Sequence, residues 1–190
     1  MSENKTATIE VESYTKRRRV VLRRLLVNLI RKEHLTNEDL KNVVDLGSYE
    51  GSSTMALRDV GAKEVVSVDK NPFALSKGHN AGYIEKPIES DMADYVAQMD
   101  ENFHGTVTAF NCILYLPETD IPNIIDNLGN KLAPGSKFIF TFSKTQEAWI
   151  SKFSTIFNHE QFSTQFLTGL TQGELDYNCC IATKKANSLQ

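Results

Sequence analysis

Val43 to Thr54, Val-Val-Asp-Leu-Gly-Ser-Tyr-Glu-Gly-Ser-Ser-Thr, leaves this chain few architectures to choose from. The stretch opens on apolar β-branched residues, as a buried strand does. It breaks at Gly47 and Gly51, then continues into a helical run over Ser52–Asp59. A strand that turns through glycines into a helix is how α/β proteins bind nucleotides. The glycines let backbone approach the ligand, and the helix start offers N–H groups without intrahelical partners.

The remainder of the chain reads consistently with such a fold. Leu22, Leu25, Leu26, Leu29 and Ile30 fall at helical spacing and predict an amphipathic helix over 15–33. Residues 1–13 are polar and expected to be mobile. Thr36 and Asp39 sit near capping-box spacing, so Thr36–Leu40 reads as a short helix. Further helices are expected over Phe73–Lys77, Tyr95–Met99, Ile121–Lys131 and Gln146–Phe157, with Gly78 and Gly82 in loop. Strands are expected at Asn42–Asp45, Glu64–Asp69, Thr106–Phe110 and Lys137–Phe142. Lys86–Ile88 is a weaker one, consigned by Pro87 to an edge. Two successive strand-like runs, Gln161–Leu167 and Asp176–Thr183, follow the last helix across a loop over Thr168–Glu174. Alternating strands and helices that end in two strands mean an α/β fold. Its mainly parallel sheet of seven strands is closed by an antiparallel hairpin, with helices on both faces.

Length bounds the rest: 190 residues predict a single domain spanning 1–190, with a basic extension over 1–35. Net charge is −3, but residues 1–35 hold nine Lys or Arg against four acids, giving +5 there and −8 elsewhere. Arg17, Arg24 and Arg31 recur every seven residues and form a stripe on the predicted helix. The functional reading is a surface for an anionic partner such as nucleic acid, anionic lipid or an acidic substrate. The plainer reading is a solvated face of a helix docked on the sheet. No apolar run reaches the roughly 18 residues of a membrane span, and the N-terminus lacks a signal-peptide pattern. The reading is therefore an intracellular, cytoplasmic protein. Cys112, Cys179 and Cys180 have neither disulfide nor metal-type spacing.

Asp69 ends the second strand, 22 residues after Gly47. An acid at that distance accepts hydrogen bonds from ribose hydroxyls in dinucleotide-type sites. The ordered set then resembles the class I S-adenosylmethionine-dependent methyltransferases. Its pieces are Val-Val-Asp-Leu-Gly-Ser-Tyr-Glu-Gly, Val-Ser-Val-Asp, Glu-Ser-Asp-Met, Phe-Asn-Cys-Ile-Leu-Tyr-Leu-Pro and Leu-Ala-Pro-Gly-Ser-Lys-Phe-Ile-Phe, with the terminal strand pair. The resemblance covers roughly Asn42 to Thr183. It implies a Rossmann-like three-layer sandwich, S-adenosylmethionine as cofactor, and methyl transfer to an acceptor that the sequence does not identify, whether small molecule, RNA or protein.

The resemblance also implies residue roles. Asp45 would sit beneath the loop and bond its backbone, or reach the methionine amine through water. Gly47 and Gly51 would let backbone approach the cofactor, with Ser48, Tyr49, Glu50, Ser52 and Ser53 bordering its methionyl end. Asp69, followed by Lys70, would hold the ribose diol. Asp91 would accept from the adenine N6 amine while Met92 packs on the ring. Asn111 would line the sulfonium end. Tyr49 takes the place of the middle glycine of the commoner Gly-x-Gly-x-Gly, as in catechol-type O-methyltransferases. Those enzymes carry acidic metal ligands after strands four and five. Here Phe110-Asn111-Cys112 and Phe142-Ser143-Lys144 have none, so no metal is expected.

No catalytic residue is assigned from the sequence, since an activated methyl donor can be served by positioning alone. Tyr115 and Tyr14 are the substrate-side candidates. The alternatives are that Tyr115 packs under the following helix and Tyr14 is an exposed anchor. His34, His79, His104 and His159 read as surface residues, with His104 at the wrong end of strand four for a ligand site. Cys112 reads as a packing residue, and Cys179 and Cys180 point to opposite faces of a strand, so that one of them is buried. Three other readings compete. A dehydrogenase would carry Gly-x-Gly-x-x-Gly. A glycine turn without a ligand is the second. The third is a non-catalytic cofactor- or partner-binding protein that works through the basic helix.

Overall fold

Nothing between Glu3 and Arg31 stops a helix, because the segment holds no glycine or proline. In the computed structural model, which describes residues 3–143, 148–157, 160–169 and 177–186, one helix spans it: α1, Glu3–Arg31. The segment expected to be mobile is thus helical from Glu3. Glu33 ends the helix at φ 60°, the left-handed position that glycine usually fills, and His34 and Leu35 N–H donate back to Leu29 O. Thr36–Leu40 is a turn rather than a helix. It keeps the expected reciprocal bonds, Thr36 N–H to Asp39 Oδ2 at 2.7 Å and Asp39 N–H to Thr36 Oγ1 at 3.3 Å.

The strands are β1 (Asn42–Leu46), β2 (Glu64–Asp69), β3 (Lys86–Glu89), β4 (Thr106–Phe110), β5 (Lys137–Ser143), β6 (Phe162–Leu167) and β7 (Tyr177–Lys184). They form one sheet in the order β3-β2-β1-β4-β5-β7-β6. β7 alone runs against the others, inserted between β5 and β6. The chain winds outward from β1 through β2 to β3, then returns to lay β4 on β1's other side. A switch point results between β1 and β4, where open parallel sheets bind ligands beyond their carboxyl ends.

The remaining helices are α2 (Ser52–Asp59), α3 (Pro72–Asn80), α4 (Met92–Gln98), α5 (Asp120–Lys131) and α6 (Ala148–Ile156). Residues 146–147 at the expected start of α6 lie outside the described residues, as do Lys144, His159 and residues 170–174 of the expected loop. α3 does not stop before Gly78. A Cβ there would lie 2.7 Å from Glu50 O, so this glycine serves close packing within a helix rather than a loop.

Alternation along the strands sends side chains to two cores. Leu22, Leu25, Leu26 and Leu29 of α1 and Ala56 and Leu57 of α2 pack on Val43, Val65, Phe110 and Ile139. On the other face α4, α5 and α6 cover Val44, Val107, Phe138, Phe140 and Phe142. Phe140 lies 4.5 Å centroid to centroid from Phe153 and 6.0 Å from Phe157. β7 is an inner strand covered on both sides, which corrects one expectation: Cys179 and Cys180 are both buried, one in each core. No helix among the described residues is long and apolar enough to cross a membrane.

Arg17, Arg24 and Arg31 are all exposed, while the four leucines behind them have no exposed surface. α1 is therefore part of the core on one side. Leu26→Ala is expected to lower unfolding free energy by about 2–5 kcal/mol. A denaturant titration unchanged from the parent would show that the helix docks without contributing to the fold.

Candidate functional site

The loop after β1 is built from alternating left-handed residues: Gly47 at φ 69°, Tyr49 at 50° and Gly51 at 89°. Tyr49 is the unusual one, since a bulky side chain seldom adopts positive φ. Its backbone is held there from outside: Tyr49 N–H donates to Asp69 Oδ2 at 2.8 Å. Gly47 and Ser48 N–H both donate to Val68 O, tying the loop to the end of β2. Gly47 has a second reason to lack a side chain, because a Cβ would meet Cys112 Cβ and Sγ at 2.7 Å.

A cavity of about 250 Å³ lies beyond the carboxyl ends of β1, β2 and β4. Gly47, Tyr49, Asp69, Lys70, Asp91, Met92, Asn111 and Tyr115, all candidates named from the sequence, line it. Asp69 Oδ1 also accepts from Asn71 N–H at 2.9 Å, so one carboxylate clamps two loops while facing the cavity. Asp91 caps α4 by accepting from Ala93 N–H at 2.9 Å. Met92, buried under the cavity, offers an apolar surface. Asn111, at φ 55°, is pinned by its N–H to Thr141 Oγ1 at 2.9 Å. Tyr115 is 82% exposed at the rim, so it does not pack under the next helix.

Other expected residues are not in the lining. Asp45 is fully buried, and it bonds hydroxyls rather than the loop backbone. It accepts from Ser53 Oγ at 2.7 Å, Thr54 Oγ1 at 2.8 Å and Thr108 Oγ1 at 3.1 Å. Burial pushes its carboxyl above the ordinary carboxylate range, while the three hydroxyls and the Arg18 charge pull it back. The missing side chain of Gly51 faces Ile84, 2.8 Å from where a Cβ would be. Ser48 is buried outside the lining, with no partner for its hydroxyl among the described residues. Glu50 pairs with Lys77 at 2.8 Å, and Ser52 and Ser53 are buried away from the cavity. Tyr14, half exposed, does not line it either.

The lining also contains residues the sequence reading did not select, chiefly Arg18, Cys112 and Leu116. Arg18 left a signal. It lies four residues before Leu22, on the helix face that is otherwise apolar. Cys112 donates to Leu46 O at 3.2 Å, and burial followed by the Asp45 charge pushes its thiol up to about 12. A thiol pKa that high favours the neutral form at neutral pH. His104 lies at the opposite end of the sheet, in a separate cleft with Asp39 and Ser136.

No protein-family model and no curated protein matches this sequence. Solved structures do match. A TehB-like S-adenosylmethionine-dependent methyltransferase from Corynebacterium glutamicum superposes with a TM-score of 0.66 at 12% identity, covering 94% of this chain and 100% of that one. An S-adenosylmethionine-dependent methyltransferase from Archaeoglobus fulgidus gives 0.65 at 13% identity, over 85% and 94%. The N-methyltransferase NodS from Bradyrhizobium japonicum, solved with S-adenosyl-L-homocysteine, gives 0.60 at 18% identity, over 82% and 87%. The chain has the Rossmann-like fold of the class I methyltransferases.

The buried Asp45 generates a pH dependence of stability. A carboxyl whose pKa is raised by folding keeps its proton longer folded than unfolded. Its contribution is therefore full below the unfolded value of about 3.9 and is lost as pH rises toward the folded value. Asp45→Asn removes that slope. Denaturant titrations from pH 4 upward are expected to show the parent losing stability relative to the variant as pH rises. A difference that does not change with pH would refute the assignment.

Proposed function

We propose that this chain binds S-adenosylmethionine in the cavity between β1 and β4 and transfers its methyl group to an acceptor. The observation that carries the reading is the convergence of Asp69, Asp91, Met92 and Asn111 around one cavity, at the switch point of a methyltransferase fold. The residues suit the cofactor chemically. A ribose diol needs an acceptor-only group, and Asp69 retains lone pairs after serving Tyr49 and Asn71. An adenine amine needs another, which Asp91 supplies beside the apolar surface of Met92. Gly47 and Asn111 border the methionyl end, and Tyr115 stands on the acceptor side.

The bound cofactor supplies a methyl group already activated on a sulfonium. The chain's own task is then to orient the acceptor and exclude water.

S-Adenosylhomocysteine is expected to raise the melting temperature by mass action, in proportion to the logarithm of its concentration. No shift at millimolar ligand would sink the cofactor reading. Asp69→Ala is expected to weaken that binding by about ten- to a hundredfold, the loss of charge-assisted hydrogen bonds to the diol. Calorimetry reads this directly, and unchanged affinity would take Asp69 out of the site.

A further inference from the structure

Between Tyr14 and Lys32 the chain holds eight arginines and lysines and no acid. Docking of α1 sorts them by face. Leu22, Leu25, Leu26 and Leu29 turn one side wholly into the core, which leaves Lys16, Arg17, Arg23, Arg24 and Arg31 exposed. Arg19 shows how a cation on this helix is neutralised, with Nε and Nη2 donating to the two oxygens of Asp59 at 2.7 and 2.6 Å. Arg17, Arg24 and Arg31 have no acidic partner among the described residues, and no acid stands three or four positions from any of them. Their seven-residue spacing keeps them in one row, about 21 Å long from the helical rise. Like charges in a row repel one another, and a polyanion laid along them relieves that repulsion. The rest of the chain is acidic, so the ridge stands out against its surroundings.

The chemistry of the face discriminates among polyanions. A helix that lies on anionic lipid buries its apolar side in the bilayer, and here that side is spent in the core, its four leucines without exposed surface. An acidic polypeptide offers charge alone. A nucleic acid fits on two counts. Its phosphates repeat along a line, as the arginines do, and a guanidinium holds a phosphate through paired N–H donors. Its bases need flat partners, and exposed rings stand at the cavity end of the same helix. Tyr14, three residues before Arg17, is 51% exposed, and Tyr115 on the cavity rim is 82% exposed. Both lie close to Tyr177, whose hydroxyl is pushed up by burial, drawn back by the Arg18 charge and pushed further by these two phenols. Single strands are bound in this way, backbone on cations and unstacked bases on aromatic rings.

We infer that the solvent face of α1 docks single-stranded nucleic acid, its phosphates along Arg17, Arg24 and Arg31 and its bases on Tyr14 and Tyr115 at the mouth of the cavity. The inference goes beyond the cofactor reading and does not rest on it.

Fluorescence anisotropy on the full chain tests it, with labelled oligouridylate and oligodeoxythymidylate of about a dozen nucleotides in a salt series. The parent is expected to bind at least one of them, with log K falling linearly in log salt, and the tighter of the two identifies the sugar. R17Q/R24Q/R31Q loses three phosphate contacts, so it is expected to bind about tenfold or more weakly at low salt, with a slope shallower by about 2. R17K/R24K/R31K keeps the charges and most of the slope. Y14A/Y115A is expected to lose about tenfold with its slope unchanged, and Y14F/Y115F to restore the affinity. All five side chains are exposed, and denaturant titration checks that each variant folds as the parent does. An abasic strand of equal length, which keeps the phosphates and lacks the bases, is expected to bind the parent about tenfold more weakly, a comparison that needs no variant.

No binding of either strand by the parent at low salt overturns the inference, as does equal affinity and slope in R17Q/R24Q/R31Q. Equal affinity for the abasic strand removes the bases from the contact and overturns it too. Binding of phosphatidylcholine–phosphatidylserine vesicles or of oligoglutamate that R17Q/R24Q/R31Q abolishes, with both oligonucleotides unbound, overturns it in favour of lipid or acidic polypeptide. Failure of S-adenosylhomocysteine to bind the parent counts against the cofactor reading and leaves the strand-binding result standing.

Discussion

The buried Asp45 carboxyl is the interaction on which the geometry of the cavity depends. Register places Ser67, Asp45 and Thr108 side by side on β2, β1 and β4. All three point to the face covered by α2, where Ser53 and Thr54 add their hydroxyls. Thr54 Oγ1 has one proton and gives it to Asp45. The 2.8 Å contact with Ser67 Oγ therefore runs from Ser67 to Thr54. A single polar cluster thus joins three strands to the first turn of the helix that follows the glycine loop. Such a cluster is stable only when complete, since a hydroxyl removed leaves a carboxyl short of partners in a low-dielectric interior. Fixing α2 against β1 in this way fixes both ends of the Gly47–Gly51 loop. Asp69 then holds its middle through Tyr49 N–H, so the loop has a defined shape before any ligand arrives.

Much of this was legible in the sequence, because strands and helices announce themselves by period. The apolar runs around Val43, Val65, Val107 and Phe140 locate the central strands, and Pro87 sends β3 to the edge. The cavity residues were legible for a geometric reason. Asp69 ends β2, Asn111 follows β4 directly and Asp91 lies two residues past β3, and the ends of parallel strands meet at a switch point. What was not legible depends on which way a side chain points. Asp45 is one residue before the end of β1, and strand alternation turns it under α2 instead of into the cavity. Gly51 is small to admit Ile84 rather than a ligand. Arg18 required the docking angle of α1, which no local pattern encodes, although its place on the leucine face was visible.

The same packing bears on what the site can do. Cys112 fills the space that a side chain at position 47 would take, and its burial favours the neutral thiol. Asn111, beside it, is held in a left-handed conformation by β5 through Thr141. The wall between β1 and β4 is therefore rigid. On the methyltransferase reading, selection of the acceptor then falls to the groups that remain adjustable at that end. Those are the exposed rings of Tyr115 and of Tyr14, which N-terminal helix α1 delivers. α1 thus combines two roles on opposite faces: its leucines complete the core, and its arginines turn charge to the solvent beside the mouth of the site.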